Sequence, residues 1–314
     1  MYVRNFLFNH NILKNVNFDT PIISVGNITT GGTGKTPLVI HLIDYFLSKD
    51  KSVGVISRGY KSKSNNLVVA YNGKCITSDL QSTGDELFMI VNRFSKSHKF
   101  FAIAYHDRIR AIKEMIKSFS PDVIILDDAF QNRKVRKTVD IVIEDKESYS
   151  FTSNLLLPAG NLRETKSSLS RADIVLYNFK FAQLDSSLLN SMQYKLTGLY
   201  DYNENKVDFP DNKKAVLFSG IANNSSFHKV AADLGIHLEN TFQYPDHYDY
   251  TLNDINHFIS KHNSNVIFLT TEKDFIKIRE FGEFVSNYPV YYLRIDVILN
   301  NSVLDNLLIK KNIV

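Results

Sequence analysis

The chain has 314 residues, 44% hydrophobic and 22% charged, which suits an ordinary globular protein long enough to bury a full core and divide into two units. Lys and Arg number 37 against 33 Asp and Glu, a net charge of +4 with the signs interspersed, too weak to argue for nucleic acid as a partner. Cys75 is the single cysteine, so intrachain disulfides and cysteine-rich metal sites are excluded, and no apolar run approaches the ~20 residues that cross a bilayer.

The first stretch, "MYVRNFLFNHNILKN", mixes Tyr2, Val3, Phe6, Leu7, Phe8, Ile12 and Leu13 with Arg4 and Lys14. Such a helix either packs on a core or lies on a membrane face. Short β-branched runs then alternate with helical patterns, and strands are expected at Ile22–Val25, Val53–Ser57, Phe100–Ala104, Val123–Leu126, Ile141–Ile143 and Ile174–Tyr177. Their continuous apolar character suits a parallel sheet covered on both faces. "YNGK", residues 71–74, reads as a tight hairpin turn on that sheet. Residues 195–213 are polar with strand-like pieces and read as a linker between units 1–194 and 214–314. The second unit repeats the alternation, with strands expected at Ala215–Ser219, Val266–Thr270 and Val290–Leu293. The fold class is therefore α/β: a P-loop NTPase-like, doubly wound, mostly parallel sheet followed by a smaller α/β/α unit.

"SVGNITTGGTGKTP", residues 24–37, carries the chemistry. A P-loop reads glycine, four residues, then Gly-Lys-Ser/Thr; Gly34, Lys35 and Thr36 match, while Thr29 stands where the first glycine belongs. Gly31 and Gly32 give the backbone freedom to turn its N–H groups inward, and Leu38, Val39, Leu42, Ile43 and Phe46 recur at helical spacing behind it. Exposed N–H groups at a helix start favour an anion. Thr29, Thr30, Gly31, Gly32, Thr33, Gly34, Lys35 and Thr36 are thus the candidate nucleotide cradle, with Lys35 on the phosphates and the Thr36 hydroxyl on Mg²⁺.

"DVIILDDAF" delivers Asp127 and Asp128 to the C-terminal edge of the sheet, where hard carboxylate oxygens can hold Mg²⁺. ATP or GTP with Mg²⁺ follows. "TEKD", residues 271–274, resembles the guanine-reading Asn/Thr-Lys-x-Asp pattern but sets its lysine one position late. Partitioning ATPases carry an extra lysine before the glycine pair, where this chain has Thr30. Three polar clusters look like parts of a transfer site: Asp85 and Glu86 in "STGDE", Asp246 and His247 in "PDHYDYT", Arg163 and Glu164 in "LPAGNLRE". A carboxylate can accept the proton of an acceptor hydroxyl, a histidine can orient it, and an arginine can neutralise phosphate charge. These residues alone leave a lipid kinase, a soluble sugar kinase and a nucleotide-driven switch or assembly ATPase open.

"SVGNITTGGTGKTP", "SRGY", "GDE", "LDDAFQNR", "LLPAGNLRE", "FSGIANNSSF", "FQYPDHYDYT" and "TEKD" occur in an order that closely resembles the tetraacyldisaccharide 4′-kinase family of the lipid A pathway. Thr29, which breaks the general pattern, is what this family carries. The resemblance implies transfer of the ATP γ-phosphate to the 4′-hydroxyl of a tetraacylated glucosamine disaccharide 1-phosphate. The enzyme would be a monomer, peripheral on the cytoplasmic face of the bacterial inner membrane. It also implies Lys35 and Thr36 on ATP and Mg²⁺, and Asp85 as base with His247 in support. Asp127 and Asp128 would organise metal and phosphates, with Glu164 a further metal ligand. Tyr60, Arg108, Arg163 and Glu164 would lie around the substrate. Three features depart from the family. Ala129 and Asn132 replace a glycine and a histidine after the acidic pair, and the segment before the P-loop strand, Met1–Pro21, is shorter than the apolar helix relatives use at the membrane.

Overall fold

The computed structural model describes residues 2–10, 12–59, 62–146, 155–182, 190–209, 214–261, 265–299 and 301–314. Two units divide the chain, Met1–Gln193 with Val297–Val314, and Tyr194–Asp296.

In the first unit, helix α1 (Tyr2–Asn9) precedes strand β1 (Ile22–Gly26) and helix α2 (Lys35–Ser48). Strands β2 (Val53–Ser57) and β3 (Val68–Tyr71), helices α3 (Leu80–Thr83) and α4 (Asp85–Phe94), and strand β4 (Phe100–Ala104) follow. Helix α5 (Arg108–Phe119) and strands β5 (Val123–Asp127), β6 (Val139–Asp145) and β7 (Ile174–Asn178) complete the series. The strands lie in the order β7-β6-β1-β5-β2-β4-β3, parallel except for β3. Every residue of β1, β2 and β5 is buried, as their unbroken apolar runs require of strands covered on both faces. Ile22, Ile56, Ile103, Ile124 and Leu126 pack with Ala111, Ile112 and Met115 of α5. The six expected strands all form, each within two residues of its expected ends. The "YNGK" turn also forms: Gly73 sits at φ 84°, and Asn72 Oδ1 accepts from Lys74 N and Cys75 N.

Strand β8 (Ser191–Tyr200), which enters the second unit at Tyr194, pairs antiparallel with β9 (Lys206–Val207), so the strand-like pieces of the polar stretch form strands. Then come β10 (Lys214–Ser219), α6 (Asn224–Asp233), β11 (His237–Gln243), α7 (Leu252–Ile259), β12 (Val266–Thr271), α8 (Glu272–Ile278), α9 (Gly282–Asn287) and β13 (Val290–Leu299). Strands β11-β10-β12-β13 pair in parallel. The core is largely aromatic, with Phe218 stacked on Phe258 and Phe275 on Tyr292. The last helix, α10 (Asn301–Lys310), belongs to the first unit, where Asp305 accepts from the Tyr45 hydroxyl and Lys311 pairs with Asp173.

Candidate active site

The loop between β1 and α2 has the geometry expected of a phosphate cradle. Gly31 and Gly34 both stand at φ 100°, a left-handed conformation that side chains strain. Gly34 is the N-cap of α2, so the first helical N–H groups open onto the loop. Pro37 lies in the first turn, where its missing N–H costs nothing. Thr29 is extended and bridges Leu162, while Thr30 N donates to Asn161 O and Arg163 N to Ile28 O. That ladder explains why the first glycine of the general pattern is dispensable here: the position needs no positive φ. Asn27 Nδ2 donates to Thr33 Oγ1 (2.9 Å), and Gln131 Nε2 to Asn27 O (2.7 Å). From the end of β7, fully buried Asn178 donates to Thr33 O (2.9 Å).

Beside the loop, β5 ends on two aspartates in opposite environments. Asp127 is buried, and its Oδ1 has no hydrogen-bond partner. Burial, then the charges of Glu86 and Asp128, push its carboxyl up to about 7 despite Lys35 and Arg108. Asp128, at φ 48°, takes Arg163 Nη1 on both oxygens (3.1 and 2.9 Å) and has Lys35 Nζ at 3.7 Å. Its partial burial favours the neutral form, but Lys35, Arg163 and Arg108 outweigh it and hold the carboxyl below the usual range. The strain of a left-handed backbone thus falls on Asp128. Ala129, standing where relatives have glycine, is not among the residues at positive φ and its methyl is buried, so the replacement is accommodated. Asn132 Oδ1 is buried with no partner.

Arg108, at the start of α5, is buried and donates from Nη2 to Asp127 O (2.5 Å), leaving Nη1 buried without a partner. Burial lowers its guanidinium to about 10 although Asp127 and Asp128 support the charge. Asp85 lies buried in the first turn of α4 behind Gly84 and accepts from Glu86 N (3.0 Å). Glu164, expected at the metal, is buried and committed elsewhere: Arg171 donates to its Oε2 (2.5 Å), with Arg4 at 3.9 Å from Oε1. Tyr60 lies outside the described residues. His247 belongs to the second unit, on the loop before α7. The structure thus brings Lys35, Arg108, Asp127, Asp128 and Arg163 together. Sequence reasoning missed Asn27, Gln131 and Asn178 as braces of the loop. Gln131 was quoted in a motif without a role, and nothing local marks Asn178 beyond its place at a strand end.

A glycine-turned loop at a helix start, beside a strand that ends in a buried acid, defines a P-loop nucleotide-binding protein. Comparison with known proteins narrows the class. The family described as tetraacyldisaccharide-1-P 4′-kinase (LpxK) matches residues 1–312. The tetraacyldisaccharide 4′-kinase of Aquifex aeolicus is 32% identical over 294 residues, spanning 91% of this chain and 89% of the relative. That of Wigglesworthia glossinidia brevipalpis is 35% identical over 286 residues, spanning 91% and 75%. The solved "apo" form of LpxK from Aquifex aeolicus in complex with ATP has a TM-score of 0.79 at 30% identity, covering 99% of this chain and 94% of that one. The chain belongs to the tetraacyldisaccharide-1-P 4′-kinase family, as its motifs led us to expect.

Proposed function

We propose that this protein transfers the γ-phosphate of ATP to the 4′-hydroxyl of a tetraacyldisaccharide 1-phosphate. Family membership supports the acceptor. The single observation that carries the phosphoryl chemistry is the pair of orphaned buried atoms beside the P-loop, Asp127 Oδ1 and Arg108 Nη1. A carboxyl oxygen and a donor-only guanidinium nitrogen, both left without a partner beside the loop, suit a divalent cation and a phosphoryl oxygen. Asp127 and the Thr36 hydroxyl would hold Mg²⁺, which when bound neutralises charge on the β- and γ-phosphates. The N–H groups of residues 30–36 and the Lys35 ammonium orient the polyphosphate. Arg108, fixed by its bond to the Asp127 carbonyl, is the residue we assign to the transferring group. Arg163 and Lys35 together keep Asp128 ionised, and Asp128 in turn keeps Lys35 in place. We assign Glu164 the bracing of Arg171 rather than a metal.

Asp85 is the residue we assign to the acceptor. The oxygen of the 4′-hydroxyl bonds to the γ-phosphorus, the bond to the β–γ bridging oxygen breaks, and the hydroxyl proton passes to the Asp85 carboxylate. His247 carries the imidazole that assists this proton. No helix among the described residues is long and apolar enough to cross a membrane. We assign contact with the cytoplasmic face of the inner membrane to the N-terminal segment, where Phe6, Ile12 and Leu13 are exposed near Arg4 and Lys14.

The test incubates purified protein with γ-labelled ATP, Mg²⁺ and detergent-dispersed tetraacyldisaccharide 1-phosphate and follows label into lipid by thin-layer chromatography. Label in a bis-phosphorylated lipid, lost in Lys35→Ala, is the expected outcome. A folded protein that binds ATP and labels no lipid refutes the acceptor.

A further inference from the structure

The segment Thr271–Asp274, "TEKD", has no place in the chemistry above, yet the second unit builds its histidine loop on it. Lys273 Nζ donates to Asp246 Oδ1 (3.0 Å) and lies 3.3 Å from His247 Nε2. An ammonium has three donors and no acceptor, so a nitrogen that bonds to it must present a lone pair. Asp246 Oδ2, an acceptor near the same nitrogen, stands at 3.6 Å, beyond a hydrogen bond. With Nε2 accepting, the ring proton sits on Nδ1.

The backbone of the loop is fixed from the same helix start. Asp274, fully buried in the first turn of α8, accepts from Gly220 N (3.0 Å) and Thr271 Oγ1 (2.7 Å). Gly220 in turn accepts from His247 N (3.1 Å), and His247 itself stands at φ 59°. A Cβ at Gly220 would lie 3.0 Å from Tyr248 Cβ and 3.2 Å from Pro245 O, so loop and strand end are in close contact. Lys277, one turn further along α8, donates to Tyr248 O (2.9 Å).

We propose that Lys273 is a positioning residue that holds His247 as the Nδ1–H tautomer, with Asp274 fixing the loop that carries it. The imidazole is thereby a donor from Nδ1 and not from Nε2, a defined polarity toward a carboxylate or phosphoryl oxygen. This inference rests on the reading of His247 as an active-site residue, and its test separates the two. Full-length protein with ¹⁵N-labelled histidine rings, assigned by loss of one spin system in His247→Gln, should show Nδ1 protonated and Nε2 bare. Lys273→Met should abolish that preference and lower turnover by at least about tenfold with the KM for ATP unchanged. Lys273→Arg should restore the tautomer and part of the turnover. An Nε2–H ring or an imidazolium in the wild type overturns the proposal, as does an Nδ1–H ring that persists in Lys273→Met. Should the methionine variant not fold, the wild-type ring signature and Lys273→Ala decide. Wild-type protein that shows the tautomer and its loss on substitution, but phosphorylates no lipid, refutes the proposed function and not the positioning.

Discussion

Asp127→Asn should stabilise the nucleotide-free protein at neutral and alkaline pH while abolishing its activity. The reason is the cost of holding a carboxylate in a buried site. In the unfolded chain this carboxyl ionises near its ordinary 3.8; in the folded chain burial and the neighbouring Glu86 and Asp128 push it up to about 7. Below the lower value both states carry the proton, and folding has no charge to desolvate. As pH rises from there to 7, the unfolded chain releases its proton and the folded chain does not, so stability falls. Three units at ~1.36 kcal/mol each give a ceiling of about 4 kcal/mol, complete above pH 7. An asparagine does not titrate and escapes that loss. The variant's advantage should therefore grow from near zero at pH 4 toward that ceiling at pH 8, a rise of several degrees in the thermal midpoint at the ~1.5 °C per kcal/mol that ~2.1 cal/mol/K per residue implies for 314 residues. Thermal melts of both proteins across this range, without nucleotide or divalent cation, make the measurement. Adding ATP with Mg²⁺ should then raise the wild type more than the variant. A stability difference that stays flat from pH 4 to pH 8 refutes the argument, because it would mean that Asp127 ionises as readily folded as unfolded.

Three further outcomes are expected. Asn178→Ala removes a fully buried side chain that donates to Thr33 O and accepts from Lys180 N; it should cost about 2–4 kcal/mol in denaturant unfolding and weaken ATP binding several-fold, whereas unchanged ATP affinity would show that the loop does not need the brace. Asp85→Asn should lower turnover by ~10²–10⁴-fold with ATP affinity nearly intact, and turnover close to wild type would remove Asp85 from the base role. Tyr45→Phe removes the hydroxyl that ties α2 to Asp305 of α10; it should cost about 1 kcal/mol and increase amide exchange in α10 without altering activity.

Family, cradle and strand-end acids were legible in the chain because each depends on residues close in sequence. A loop that must curl shows its glycines, and a doubly covered strand shows an unbroken apolar run, so β1, β2, β4 and β5 could be placed from composition alone. Strand β11, at the end of its sheet, exposes every second residue and carries charge and amide groups, so no apolar run announces it. Strand β8 is likewise half-buried for most of its length, so its polar stretch showed strand-like pieces without fixing their bounds. What the sequence by itself determined is the set of groups on hand: a glycine-turned loop with its lysine, the acids at a strand end and a helix start, and the basic residues around them. Only the tertiary structure decided which atoms are paired. Asp127 and Asp128 are neighbours in the chain, yet one is buried with an orphaned oxygen and the other is held by Lys35 and Arg163. Asn178 meets Thr33 across 145 residues, and Lys273 meets His247 across 26. Such pairings depend on where the sheet brings strand ends together, and no local propensity records that.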